Sequence, residues 1–544
     1  MILQRILILI FFITTVNLSA QSISAAQKEE ITQVLYEYVN DDSPGLAVGI
    51  LIDGTINYEN YIGYANMEHL VKIDQNTRFN IASVAKQYTA LCVLKLITEG
   101  KLGMEDDIRK YLPDLYPTIE EPITVAQLIA HTSGIRDYTN LYGLKEQPWW
   151  KQFMDNDDAI ALLQAQLGLN FKPGTKYAYS NSNYIIMTEL VAKISGEDFS
   201  DYAKALFENL GMPSTSYQTS YMRVIPNKAR SYGNWNGWLE YPAVSETHGD
   251  GGLFTTLKDQ LQWETILQAN DGTYLSKELI NESQSPIQFT YGYGLEFGTY
   301  KGLSYTWHNG STGAYRATVL RFPEKKISVL VHANNGNVNP NGLAKQLIDI
   351  LLDLKGLDEY PGMPETIEKV DDIKELLGKY KSPDGGIIDI IEKDGALFRE
   401  ISNQPTRALI NEEGGLFHYG HFPDLKMNFS KVGTPDQQFT IYLSEQAPAT
   451  YYRLPDADLS NYDRGALNGR FYNAETDTEI SITYRENDTY LVLKNGEDRD
   501  AELVAEDVLQ MGSYELEIAR NAQGNVDGVR VSIAELTKVL FQKQ

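Results

Sequence analysis

Ser83 and Lys86 stand three residues apart in Phe79-Asn80-Ile81-Ala82-Ser83-Val84-Ala85-Lys86-Gln87-Tyr88, the only S-x-x-K in the chain. A serine hydroxyl is a weak nucleophile until a neighbouring base takes its proton. The segment has few helix breakers and is predicted to be a helix starting near the serine. Residues three apart on a helix share a face, so the Lys86 amine can reach the Ser83 hydroxyl. Ala82, Ala90, Val93 and Ile97 make up the rest of that face, which directs Lys86 toward a core. An apolar site and the positive end of a helix dipole both lower a lysine's pKa, so the pair is a candidate nucleophile with its base. The bland alternative is a short serine and a snorkelling lysine on an ordinary amphipathic helix.

The elements that would position this pair fall into a pattern. Helical periodicity at 25–39 precedes strands from Gly45 to Tyr64, joined at Asp53-Gly54, a hairpin signal. Helical stretches dominate from Ser83 to about residue 270. Strands are expected again at 291–297, 304–308, 314–322 and 327–333, then a helix at 342–354. Strand-rich ends around a helix-rich middle predict an α+β fold: one antiparallel sheet built from both ends, flanked by helices, with a helical subdomain beside it. The cleft between sheet and subdomain is the default active site.

Leu357 to Pro364 carries two prolines and a glycine and reads as a linker. Beyond it the pattern changes to short strands, and Gly378-Lys379-Tyr380 recurs as Gly469-Arg470-Phe471. Alternating apolar strands follow each copy, Ile388/Ile390 and Ile480/Ile482. The expected organisation is a hydrolase domain at 25–357 and two small antiparallel barrels at 371–456 and 465–544; one eight-stranded barrel of double length is the alternative.

Residues 1–20 read as a signal peptide: Arg5, the apolar run Ile6 to Val16, then Asn17-Leu18-Ser19-Ala20. The run is too short to span a bilayer, and no cysteine near it offers lipid attachment. An exported protein, periplasmic or secreted, with no membrane span after processing is expected. The single cysteine, Cys92, precludes an internal disulfide and reads as a small buried residue. A net charge of −26 argues against nucleic acid as a partner. No H-E-x-x-H, P-loop or dinucleotide fingerprint occurs, and His418 with His421 is a poor metal pair, so no cofactor or metal is expected.

Over roughly residues 30 to 355 the sequence resembles the serine β-lactamase and penicillin-binding-protein superfamily, in particular its class C-related branch with D,D-peptidases, D-aminopeptidases and esterases. Four landmarks appear in that family's order: Ser83-Val84-Ala85-Lys86; His131-Thr132-Ser133-Gly134; Tyr179-Ser180-Asn181; and His308-Asn309-Gly310-Ser311. Y-x-N also occurs at Tyr38, Tyr58, Tyr64, Tyr138 and Tyr232. Only Tyr179 follows a Lys-Pro-Gly turn and precedes a helical run. The resemblance implies catalytic Ser83, Lys86 and Tyr179, the phenol sharing proton transfer as an anion or a shared-proton partner. It implies that Asn181 donates to the substrate amide or fixes Lys86. His308 stands where the family's K-T-G motif has its lysine, Gly310 admits substrate backbone, and the N–H groups of Ser83 and Ser311 form the oxyanion hole. His131 and Ser133, and the segment His248-Gly249-Asp250-Gly251-Gly252, are expected to be scaffold.

The implied activity is a serine hydrolase acting through an acyl-enzyme on a small peptide, amide or ester, D-aminopeptidase or D,D-peptidase-like. The alternatives are a broad carboxylesterase or β-lactamase and, from another class, an inactive binder of cell-wall fragments. The sequence does not disclose the oligomeric state.

Overall fold

The computed structural model describes residues 22–544 except 146–152, 243, 356–362, 365, 371, 384–385, 402–405, 413–414, 420–421, 444–447, 456–461, 487, 495 and 534. The expected signal segment, most of the expected linker and His421 lie outside the described residues, as do the expected domain ends at 357, 371 and 456.

One antiparallel seven-stranded sheet organises the first part of the chain. Its strands run in the order 291–292, 295–300, 303–312, 315–322, 327–333, 46–52, 55–62, so both ends of the region build it, as the pattern predicts. Leu46–Ile52 sits between Ile327–Ala333 and Thr55–Ile62, with Ala47 opposite His332 and Tyr61. Every residue of Leu46–Ile52 is buried, because helices cover both faces. Leu46, Val48 and Ile50 pack with Ile31, Leu35, Leu343 and Leu347 of the helices Ala25–Tyr38 and Pro340–Leu352. Ala47 and Leu51 join the opposite core with Leu257 and Leu261 of the helix Leu257–Ala269. Burial on both faces is why this strand is continuously apolar rather than alternating.

Leu303–Thr312 extends further than the expected 304–308. Asn309 and Gly310 remain paired with Thr318 and Ala317. The chain reverses only at Gly313, whose φ is +52°. The landmark at 308–311 therefore lies inside a strand, with its side chains fixed by the pleat.

Among the described residues, the C-terminal part forms two closed eight-stranded barrels, with strands from Gly378 to Arg453 and from Gly469 to Lys543. Tyr380 and Phe471, the repeated aromatics, are buried in the two barrel interiors. The second barrel packs on the helical side of the hydrolase domain. Arg136 is buried in an ion pair with Glu475, and Gln166 Nε2 donates to the Glu475 carbonyl at 3.3 Å. Asn170 Nδ2 donates to the Glu535 carbonyl at 2.9 Å, and its Oδ1 accepts from the Thr537 N–H at 3.1 Å.

Candidate active site

A tight turn, Ala82–Ala85, leads into the helix Lys86–Thr98 and places Ser83 at its mouth. Ala82 holds φ = +47°, a left-handed conformation costly for a residue with a Cβ. The Asn80 side chain fixes it, its Oδ1 accepting from the Ala82 N–H at 2.9 Å. Strain of this kind persists where surroundings over-determine it, and here it aims one side chain out of a packed wall.

Lys86 is fully buried. Its Nζ lies 3.1 Å from Ser83 Oγ, 2.8 Å from Asn181 Oδ1 and 2.6 Å from the Asp250 carbonyl oxygen. Burial lowers the amine to about 8, while the negative charges of Asp250 and Asp137 work in the opposite direction. A neutral amine has two N–H donors and one lone pair. The Asn181 and Asp250 oxygens take the donors, which leaves the lone pair for the Ser83 hydroxyl.

Tyr179 stands on the other side of the serine. Its phenol interacts with the Ser83 side chain, and its ring lies 5.0 Å from Lys86 Nζ. Burial holds the phenol's pKa well above its ordinary range, while the interaction with Ser83 lowers it. The tyrosine is therefore a neutral hydroxyl, and of the two options the resemblance offered, the anion falls away. It can receive and pass on a proton only in concert, as one leaves and another arrives.

Asn181 opens the helix Asn181–Ser195, and its N–H donates to Asp137 Oδ2 at 2.5 Å. With its Oδ1 occupied by Lys86, its Nδ2 remains for a substrate carbonyl. His308 Nε2 lies 3.0 Å from the Tyr291 hydroxyl and Nδ1 lies 2.6 Å from the Asn309 carbonyl. A carbonyl only accepts, so Nδ1 carries the hydrogen and Nε2 accepts from Tyr291. Burial, reinforced by Lys86, depresses the imidazole to about 3. His308 is thus neutral, and both ring nitrogens are engaged.

Gly310 meets the nucleophile turn. A Cβ there would lie 2.1 Å from the Ile81 carbonyl oxygen, so the bare backbone accommodates the turn itself, not only a substrate. This contact draws the strand edge carrying Ser311 toward Ser83.

The expected scaffold residues are placed as scaffold. His131, at φ = +56°, accepts the Ser180 N–H at 3.1 Å, and Ser133 Oγ donates to Asn183 Oδ1 at 2.6 Å. Both fix the segment bearing Tyr179 and Asn181. The 248–252 segment does more than expected, because the Asp250 carbonyl holds Lys86. Its turn needs Gly249, where φ is +105° and a Cβ would lie 2.1 Å from Thr188 Cγ2. Sequence reasoning missed Asp137, Tyr138 and Tyr291. Tyr138 donates to Asp250 Oδ2 at 2.9 Å, and Asp137 caps the helix Tyr138–Leu144. The Asp137 cap was readable as an N-cap signal; Tyr138 was visible only as one of the Y-x-N copies, and Tyr291 carries no motif.

Ser83, Tyr179, Asn181, His308, Gly310 and Ser311 line one cavity of about 530 Å³. Lys86 is buried behind this lining and reaches it through Ser83. A second cavity of about 470 Å³ lies between this domain and the barrels, lined by Tyr177, Tyr179, Ser382, Ile533 and Glu535. Tyr179 borders both. A serine beside a buried amine that sheds its proton near pH 8, with a phenol next to it and a strand edge opposite, has the parts of an acyl-transfer centre.

A family profile described as Beta-lactamase matches residues 31–352, more than half of the chain. The chain belongs to the Beta-lactamase family, and by class it is a serine hydrolase. It is similar to a D-aminopeptidase of Cereibacter sphaeroides, 25% identical over 458 residues that span 82% of this chain and 83% of that protein. It is also similar to penicillin-binding protein 4* of Bacillus subtilis, 26% identical over 309 residues, 52% of this chain and 66% of that one. Among solved structures, the octameric penicillin-binding protein homologue from Pyrococcus abyssi aligns with a TM-score of 0.55 at 22% identity, covering 78% of this chain and 99% of that one. The D-amino acid amidase from Ochrobactrum anthropi SV3 aligns at 0.50 and 21% identity over 60% and 98%. The structural likenesses establish the fold.

Proposed function

We propose that this protein is an exported hydrolase of small peptides or amides that forms an acyl-enzyme at Ser83 and prefers an acyl residue with a free amino group, in the manner of a D-aminopeptidase. The observation that carries the chemistry is the contact of Ser83 with a fully buried lysine whose pKa has fallen to about 8.

Lys86 Nζ takes the Ser83 proton as Oγ bonds to the substrate carbonyl carbon. The N–H groups of Ser83 and Ser311 receive the developing oxyanion. As the carbon–nitrogen bond breaks, the proton passes from Lys86 through the Tyr179 hydroxyl to the leaving nitrogen. Water then attacks the ester carbonyl, gives its proton back along the same route, and Ser83 is regenerated.

The substrate class rests on two supports. The D-aminopeptidase of Cereibacter sphaeroides aligns over 82% of this chain, which is more than the hydrolase domain alone. His308 supplies no charge for a substrate carboxylate, because it is neutral and fully engaged. The barrels line the second cavity through Glu535 and Ile533, and that cavity meets the cleft at Tyr179. A D,D-peptidase acting on carboxylate-ended peptides is the second reading, favoured by Arg316, which lines the cleft cross-strand from Ser311. Its Nη1 is held by the Gly313 and Tyr315 carbonyls.

Incubation with a fluorophosphonate followed by intact-mass measurement tests the nucleophile. The parent protein should gain one adduct and Ser83→Ala none; a parent without adduct is an inactive binder of cell-wall fragments. Rates on D-alanine amides, nitrophenyl esters and a chromogenic cephalosporin, measured side by side, decide among peptidase, carboxylesterase and β-lactamase. Removal of residues 361–544 should broaden the substrate profile, and an unchanged profile would count against the barrels as a selectivity element.

A further inference from the structure

Glu296 is the feature of the cleft that the mechanism leaves unused. It lies on the strand Leu295–Tyr300, directly opposite Trp307, the last pair of that register. Cross-strand neighbours sit about 5 Å apart at their Cβ atoms, so Glu296 and Trp307 form one side-chain pair at the rim of the strand that carries His308 and Gly310. Both Glu296 and Trp307 line the cavity that holds Ser83 and Tyr179. Among the described residues, no hydrogen-bond donor or cation is paired with its carboxylate, unlike the Asp137 and Asp250 carboxylates nearby. Burial alone pushes it up to about 7. Natural proteins seldom leave a half-buried carboxylate unpaired, because desolvation is compensated only by a donor or a positive charge.

We propose that Glu296, with the Trp307 face beside it, is the specificity-determining site for the positively charged amino group of the substrate's acyl residue. An ammonium group brings three donors and a full charge, so it both satisfies the carboxylate and lies over an indole face. The charge of Glu296 selects against N-acylated substrates and against acyl residues that carry a carboxylate at that place. This assigns the amine preference of the proposed function to one residue of the hydrolase domain rather than to the barrel edge. It rests on the reading of Ser83 as an acylated nucleophile.

The test compares D-alanine 4-nitroanilide with its N-acetyl counterpart in the full-length protein, Glu296→Gln and Glu296→Lys. The amine-to-acetyl ratio of kcat/KM should fall about 10-fold or more in Glu296→Gln, mostly through KM, and invert in Glu296→Lys. Equal losses on both substrates, or an unchanged ratio, overturn the assignment. Binding of D-alanine amide and N-acetyl-D-alanine amide to Ser83→Ala, with and without Glu296→Gln, supplies a readout that needs no turnover. If neither anilide is cleaved but Glu296→Gln still abolishes the preference for the amine, the site stands and the proposed reaction fails. If both anilides are cleaved and the binding preference survives Glu296→Gln, the reaction stands and the site fails.

Discussion

Asp250→Asn should move the acid limb of Ser83 acylation to lower pH. Lys86 must be neutral to accept the serine proton, so acylation rises with pH and levels off above the lysine's pKa. An ordinary lysine at 10.5 is neutral in about one molecule in three thousand at pH 7; one at about 8 is neutral in about one in eleven. Burial thus enriches the competent form by a factor on the order of hundreds at pH 7, equivalent to about 3 kcal/mol. Within that balance the negative charges of Asp250 and Asp137 hold the proton on. Asparagine at 250 keeps the main-chain carbonyl that binds Nζ and an oxygen for the Tyr138 hydroxyl, 2.9 Å away. It removes only the charge, which leaves burial less opposed and lowers the pKa below about 8. The assay is the rate of fluorophosphonate adduct formation, followed by intact mass from about pH 5.5 to pH 10 in the parent and the variant. A parent limb near 10.5, or a variant limb that stays put or moves upward, would refute burial as the source of the base.

Tyr179→Phe should slow acylation about 100-fold or more without moving the acid limb, since the phenol titrates far above it; coupled adduct-rate and pH measurements check both parts. Gly310→Ala should cost about 1–3 kcal/mol in denaturant unfolding and reduce adduct formation, because its Cβ would meet the Ile81 carbonyl at 2.1 Å. Arg136→Ala or Glu475→Ala alone should cost about 3–5 kcal/mol by stranding a buried charge, while the double variant should cost less than the sum; thermal melts of the three proteins report it.

Much of this architecture was readable because periodicity reports burial. The strands at both ends of the hydrolase domain and the helices at 25–38 and 340–352 matched their patterns within a few residues. Tyr179 was separable from five other Y-x-N copies only by its turn-and-helix setting. The strand at 303–312 runs past the expected end at 308, and Gly310 within it serves the close approach of Ile81. The Asp250 carbonyl on Lys86 was out of reach, since a main-chain oxygen leaves no side-chain signature. The neutrality of Tyr179 and His308 was also hidden, because burial depends on segments far apart in the chain. The barrels were legible as a duplication, and closure of each into eight strands required the cross-strand register.

The sheet has a consequence for when the protein comes alive. The strand bearing His308 and Ser311 hangs from 315–322, which hangs from 327–333, which is joined in turn to 46–52 near the opposite end of the domain. Loop-closure entropy opposes that last joining, so it comes late and slowly during maturation. Until it happens the serine faces no opposing wall, and a half-made chain is a dormant one. A chain that stops short of 327–333 lacks the strand that joins the two ends of this sheet.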